Sequence, residues 1–202
     1  MSEVPSTLIR MTEITTRLAT TAEWDDVQAA LSGGGDGRSC QCAWPMLSNK
    51  DWNATSVEQR QQMLHDELAA GPPPGLVAYV DGQAAGWIRI GPRAAQQRTL
   101  RARLVKSGSE APLDDEGVWA VTCFSVRKEH RGLGLNAAML AAAVDYARGS
   151  GARVIEGYPI ATDTTKPSTN SLFVGAVSTF LNAGFREVSR PTPTRVVVAL
   201  DL

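Results

Sequence analysis

The stretch that most constrains this chain is Val118–Tyr146, VWAVTCFSVRKEHRGLGLNAAMLAAAVDY. Val118, Val121, Cys123, Phe124 and Val126 form an apolar run rich in β-formers, which predicts a buried strand. Arg127, Lys128, His130 and Arg131 follow, and then Gly132-Leu133-Gly134. Leu135, Met139, Ala142 and Val144 give the next segment the apolar stripe of an Ala-rich helix. Strand, cationic turn and helix start together aim free backbone N–H groups and the positive end of a helix dipole at one spot. That spot is expected to bind a phosphate or pyrophosphate.

Two kinds of site fit this description. Gly132-Leu133-Gly134-Leu135-Asn136-Ala137 matches the GxGxxG/A dinucleotide fingerprint, and Glu156 stands where a ribose-binding acid would. In that fold, however, the first glycine follows the strand directly, whereas here Arg127–Arg131 intervene. The arrangement instead resembles motif A of the GCN5-related N-acetyltransferases (GNAT), Q/R-x-x-G-x-G/A, with Arg131, Gly134 and Asn136 in its three places. Asn replaces the family's final Gly or Ala; it tolerates left-handed backbone angles better than most residues.

At 202 residues the chain has the length of one well-packed domain, expected over residues 13–202 behind an N-terminal tail of residues 1–12. Its 43% hydrophobic and 20% charged residues are ordinary for a soluble globular protein. A net charge of −1 gives no reason to expect nucleic acid or an anionic membrane as partner. No run reaches the ~18 apolar residues of a membrane span, and MSEVPSTLIRM lacks the features of a signal peptide. Three cysteines, an odd number, argue against a disulfide framework. These features together predict a cytoplasmic protein.

In chain order, EITTRLA (13–19) predicts an edge strand, and Thr20 with Glu23 a capping box opening a helix to about Leu31. Residues 32–37 then form a Gly-rich loop. Cys40 and Cys42 lie in a segment without periodicity, and neither histidine has metal-site spacing to them, so no metal is expected. Trp44 and Trp52 are expected to pack this loop or to wall an acceptor pocket. Ser56 caps a helix to Ala70, and Gly75–Val80 with Gln83–Ile90 form a hairpin across Asp81-Gly82, with Trp87 as core or pocket wall. AAQQRTLRARLVK (94–106) predicts a short basic helix with a solvated face. ARVIEGY (152–158) predicts a strand parallel to the central one. A long loop (159–170), a helix over Ser171–Ala183 and a last hairpin complete the chain.

This order is similar to the GNAT superfamily over roughly Ile14 to Leu200, with ITTRLATTAEWDDV, VAYVDGQAAGWIRI and FLNAGFREV as further local matches. The resemblance implies an α/β (α+β layered) fold: a mixed, splayed sheet of about six or seven strands flanked by about four or five helices. It implies acetyl-CoA as co-substrate and a small-molecule or peptide amine as acceptor, attacked directly in a ternary complex. Carried over by position, Phe124, Ser125 and Val126 would pair with the pantetheine arm, and Arg131, Gly132, Leu133, Gly134, Leu135, Asn136 and Ala137 would hold the pyrophosphate. Asn170 and Ser171 would lie beside the pantetheine.

Many family members supply the leaving-group proton from a Tyr four residues before the motif Gly. Here that position is Phe180. Tyr158 is the substitute candidate acid, and Glu116 and Glu156 are candidate bases, while His130 is expected to assist phosphate binding. Two other readings stand beside this one: a non-catalytic acyl-CoA-binding module and a dinucleotide-binding oxidoreductase. An exposed final strand would suit a homodimer.

Overall fold

The computed structural model of the protein describes residues 12–33, 35–162 and 169–202. β1 (Ile14–Leu18) leads into α1 (Trp24–Ser32) through a 3-10 turn held by a reciprocal cap. The Thr20 hydroxyl accepts the Ala22 N–H at 3.2 Å, and Glu23 Oε2 accepts the Thr20 N–H at 3.0 Å. Two short helices, α2 (Gly37–Cys40) and α3 (Asn49–Ala54), occupy the segment without sequence periodicity. α4 (Val57–Ala70) starts at a second capping box, Ser56 with Gln59, and ends at Gly71.

β2 (Gly75–Val80) and β3 (Gln83–Pro92) turn at Asp81-Gly82, both with positive φ as a tight hairpin requires. The expected basic helix is two shorter ones, α5 (Gln97–Arg101) and α6 (Arg103–Gly108), separated by an extended Ala102. β4 (Val118–Val126), α7 (Leu135–Gly149) and β5 (Val154–Gly157) form the parallel unit. The helix expected over Ser171–Ala183 begins as a 3-10 turn, Thr169–Val174, and resumes as α8 (Val177–Asn182) after Gly175, whose φ of +82° breaks it. β6 (Arg186–Thr192) and β7 (Arg195–Asp201) close the chain.

The seven strands form one sheet in the order β1-β2-β3-β4-β5-β7-β6, antiparallel except for β4–β5. The final strand is therefore interior, not exposed as expected. β7 carries Val196, Val197 and Val198, buried on both faces, while β6 with its Arg, Glu and Pro residues takes the edge. One sheet face is covered by α7 and α8, through Met139, Leu140, Ala143 and Phe180 against Ile88, Val121, Ile155 and Val198. The other is covered by α1 and α4 over β2 and β3, and by α6 over β7. No helix among the described residues is long and apolar enough to cross a membrane.

What positions the site is a parting in the middle of the sheet. β4 and β5 pair only from Val118↔Val154 to Val121↔Gly157, and beyond that β4 runs on to Val126 paired with β3 but not with β5. Past β5, Ile160 pairs instead with the segment around Ala176, and beside that junction Phe180 is fully buried, edge-on to Phe124 and Phe185 at centroid distances of 5.9 and 5.1 Å. A Cβ on Gly157 would overlap the Phe180 ring, and one on Gly175 would lie 2.9 Å from it. Two glycines thus let one ring pack at the parting of the strands. Phe180→Ala should lower unfolding stability by ~3–5 kcal/mol, read from chemical denaturation, because neighbours clamped this tightly collapse poorly into the void.

Candidate functional site

The free end of β4 opens into a cavity of about 770 Å³. One end is the turn after β4. Gly132 and Gly134 take left-handed angles of +81° and +82°, and a Cβ at either would project into open space. Gly134 is the N-cap of α7, and among the described residues no backbone carbonyl accepts from the amides of Gly132 to Asn136. These are the donors that a helix start leaves free. The Asn136 Oδ1 atom is buried beside them without a partner. Arg127 is ion-paired with Glu129 at 2.6 Å, which leaves Lys128 and Arg131 as the turn's cations without a carboxylate partner among the described residues, with His130 between them. His130, Arg131, Gly132, Gly134, Leu135, Asn136 and Ala137 line the cavity, whereas Leu133 points to solvent.

Phe124, Ser125 and Val126 line its middle. A bulge at Thr122 precedes them, where the β3–β4 register slips. The Thr122 hydroxyl donates to Gln96 Oε1 at 2.6 Å, and Gln96 Nε2 donates to the Ala120 carbonyl at 3.1 Å, so one glutamine bridges the ladder break. The bulge also turns Cys123 onto the opposite sheet face from Val121 and Phe124. The loop after α1 is tied to this strand: Ser125 Oγ donates to the Ala30 carbonyl at 3.3 Å, and the Lys128 amide donates to the Gly33 carbonyl at 3.1 Å.

The far end is aromatic and sulfur-rich. Trp44 and Trp52 meet edge-to-face at 4.9 Å, with Arg98 stacked 3.6 Å over Trp44 and Arg60 3.6 Å over Trp52. Arg98 Nε also donates to the Trp44 carbonyl at 2.7 Å, so the basic segment is part of this wall and not simply a solvated face. Cys40, Cys42 and Cys123 complete that end. Trp87 is core, fully buried behind Cys42.

A model of the acetyltransferase (GNAT) family matches residues 42–168. The chain belongs to the GNAT family. Solved GNAT-fold structures agree in architecture. An acetyltransferase of the GNAT family from Streptococcus pneumoniae superposes with a TM-score of 0.54 at 14% identity, covering 94% of this chain and 99% of the other. The ribosomal-protein-alanine N-acetyltransferase of Brucella melitensis gives 0.54 at 18%, covering 93% and 99%. The PaiA N-acetyltransferase of Thermoplasma acidophilum, crystallised with coenzyme A, gives 0.54 at 13%, covering 94% and 99%. No curated protein matches the chain in sequence.

The remaining expected GNAT site residues lie elsewhere or at the margin. Asn170 and Ser171 fall in the 3-10 turn Thr169–Val174, whose Leu172 and Phe173 line the cavity; residues 163–168 of the preceding loop lie outside the described residues. Glu116 is exposed ahead of β4, ten residues or ~33 Å of strand from the phosphate turn. Glu156 and Tyr158 are not among the lining residues. Glu156, 2% exposed, accepts from Arg93 Nη1 at 2.9 Å, from the Tyr158 hydroxyl at 2.7 Å and from Ser109 Oγ. Alternation along β5 turns these side chains toward α6, away from the cavity. Burial and then the Glu156 charge push the Tyr158 phenol well above its usual range, so it stays protonated. Arg93 was missed by sequence reading because one more Arg in a basic stretch gives no sign of being buried; its partner is 63 residues away. Glu156→Ala should lower stability by ~3–5 kcal/mol in denaturant titration, the cost of leaving a buried Arg93 unpaired.

Proposed function

We propose that this protein is an acetyl-CoA-dependent N-acetyltransferase that acetylates an amine with an apolar or aromatic body, by direct attack in a ternary complex. The carrying observation is that one cavity joins the glycine turn, the unpaired edge of β4 and the Trp44–Trp52 wall. The free amides of Gly132 to Asn136, with Lys128, His130 and Arg131, suit a pyrophosphate. The free edge of Phe124–Val126 suits the amide-bearing pantetheine arm, which extends toward Cys123 and the aromatic end. The thioester supplies an activated acetyl group there. A backbone N–H of the same edge suits the oxyanion that forms at its carbonyl. Asp36 is the one carboxylate among the lining residues described, which favours a weakly cationic acceptor over a polycation.

Phe180 is an observation in favour of a second reading, a non-catalytic acyl-CoA-binding module, since a phenyl ring in that buried place has no proton to give. A CoA-release screen over amino acids, polyamines, aminoglycosides, arylalkylamines and peptide N-termini separates the two. Thiol release with arylalkylamines is expected; acetyl-CoA binding with no release from any amine would support the second reading. Gly134→Ala should weaken acetyl-CoA binding roughly tenfold by calorimetric titration, since φ of +82° costs a Cβ ~1–2 kcal/mol. Trp44→Ala should raise the acceptor KM roughly fivefold, the ~1 kcal/mol of one aromatic contact, and leave the acetyl-CoA KM unchanged.

A further inference from the structure

Direct attack requires a neutral amine and a proton for the departing thiolate, and neither Glu116, Glu156 nor Tyr158 lines the cavity to handle them. The end of the cavity opposite the phosphate turn carries a different titratable set. Cys42 is 1% exposed, and its Sγ accepts the Trp87 indole N–H at 3.1 Å. The Arg89 guanidinium, also buried, donates to the Cys42 carbonyl at 3.3 Å and is ion-paired with Glu67. Cys123 lines the same cavity as Cys42, next to Phe124, and the two thiols perturb each other. The chain holds Cys42 there at a conformational cost. Gln41 and Cys42 are consecutive non-Gly residues with φ of +49° and +53°. Gln41 is pinned by Gln28 Nε2 at 2.9 Å and by its own bond to the Arg38 carbonyl at 3.0 Å. Strained backbone of this kind persists where the surroundings fix a side chain for a task.

We propose that Cys42 and Cys123 form the proton relay of the acetyl transfer, with Cys42 taking the proton of the attacking amine and the pair returning a proton to the CoA sulfur. This rests on the acetyl-transfer reading above. The ionisable groups facing Cys42 are Arg89 from β3, Glu67 from α4, Cys40 from α2 and Cys123 from β4, with the Asp26–Tyr79 pair further along the same layer. Burial alone would raise the Cys42 thiol, but the Cys123 hydrogen bond, the Arg89 charge and the Trp87 N–H outweigh it and hold it at about 7. The bond to Cys42 and then burial push Cys123 well up, and burial followed by the Cys42 charge takes Cys40 to about 11. Groups in one site whose environments drive their affinities for protons apart divide acid and base roles between them.

In the reactive form the pair shares one proton, as a Cys42 thiolate and a Cys123 thiol. As the nitrogen–carbonyl bond forms, Cys42 accepts the amine proton and the pair holds two. The carbon–sulfur bond breaks with its electrons going to the CoA sulfur. Loss of the Cys42 charge lowers the Cys123 thiol's hold on its proton, and the pair gives one to that sulfur. The products are the amide and CoA thiol, and the pair is restored.

The test is Cys42→Ser, whose hydroxyl can still accept the Trp87 N–H. With one acceptor measured across pH on both proteins, so that acceptor ionisation cancels, kcat should fall on the order of 10²-fold. The acetyl-CoA KM should be unchanged, and the rise of rate through about pH 7 should disappear. An unaltered pH profile would overturn the proposal. Thiolate ultraviolet absorbance of the wild-type protein gives a readout independent of turnover: one thiolate should appear between about pH 6 and 8 and be absent from Cys42→Ser. Should that variant not fold, Cys123→Ala replaces it, and the thiolate should then shift to higher pH than in the wild-type protein; an unshifted thiolate in the variant, or no thiolate below about pH 8 in the wild-type protein, would overturn the pair. Wild-type protein that acetylates no amine would count against the acetyl-transfer reading alone, and the absorbance titration would still decide whether the pair holds a single proton.

Discussion

The structure depends on the Phe180 ring seated between Gly157 and Gly175. Parallel strands pair along their length unless something prevents it, because an unpaired buried strand edge leaves its amides and carbonyls unsatisfied. Here the chain past β5 pairs at Ile160 with the segment around Ala176 instead of with β4, and the absence of a side chain at Gly157 and Gly175 admits the Phe180 ring against both. β4 is consequently left with an open edge from Thr122 to Val126. The bulge at Thr122 orients the residues of that edge, and the Gly132–Gly134 turn ends it in a cluster of free donors. Remove the wedge and the other features lose their common axis.

Charge is distributed along that axis. The turn after β4 is cationic, the middle is neutral backbone, and the far end is aromatic, with Cys42 and Arg89 buried behind it. Further along the sheet, under α6, lies a second polar cluster of Arg93, Glu156, Tyr158 and Ser109, closed on itself. A buried ion pair of this kind contributes little net stability over an apolar core, but losing one partner is costly. Its place between β5 and the connector before β4 suits a structural latch, and it consumes the two residues that chemistry alone would nominate as acid and base.

Much of the fold is legible in the sequence because its signals are local. The Thr20–Glu23 and Ser56–Gln59 boxes, the Asp81-Gly82 turn and the strand–turn–helix at 118–146 each lie within a few turns of chain. The phosphate end of the site is legible for the same reason. The thiol end is not: Cys42 and Trp87 are 45 residues apart, and nothing in either neighbourhood points to the other. Glu156 looked available because alternation in a short apolar strand does not say which face meets the cavity. The final strand looked exposed because sequence order does not show β7 inserting between β5 and β6. The helix expected over Ser171–Ala183 missed that Gly175 is needed to seat the wedge.

The central claim is that the open edge of β4 and the glycine turn form one continuous cradle for acetyl-CoA. Amide hydrogen exchange with and without acetyl-CoA tests it most directly, because exchange reports which backbone donors become occupied. Slowed exchange is expected at Gly132 to Asn136 and along Phe124–Val126 together, with no such change on adding NAD or NADP. Protection confined to other segments, or produced by the dinucleotides and not by acetyl-CoA, would contradict it.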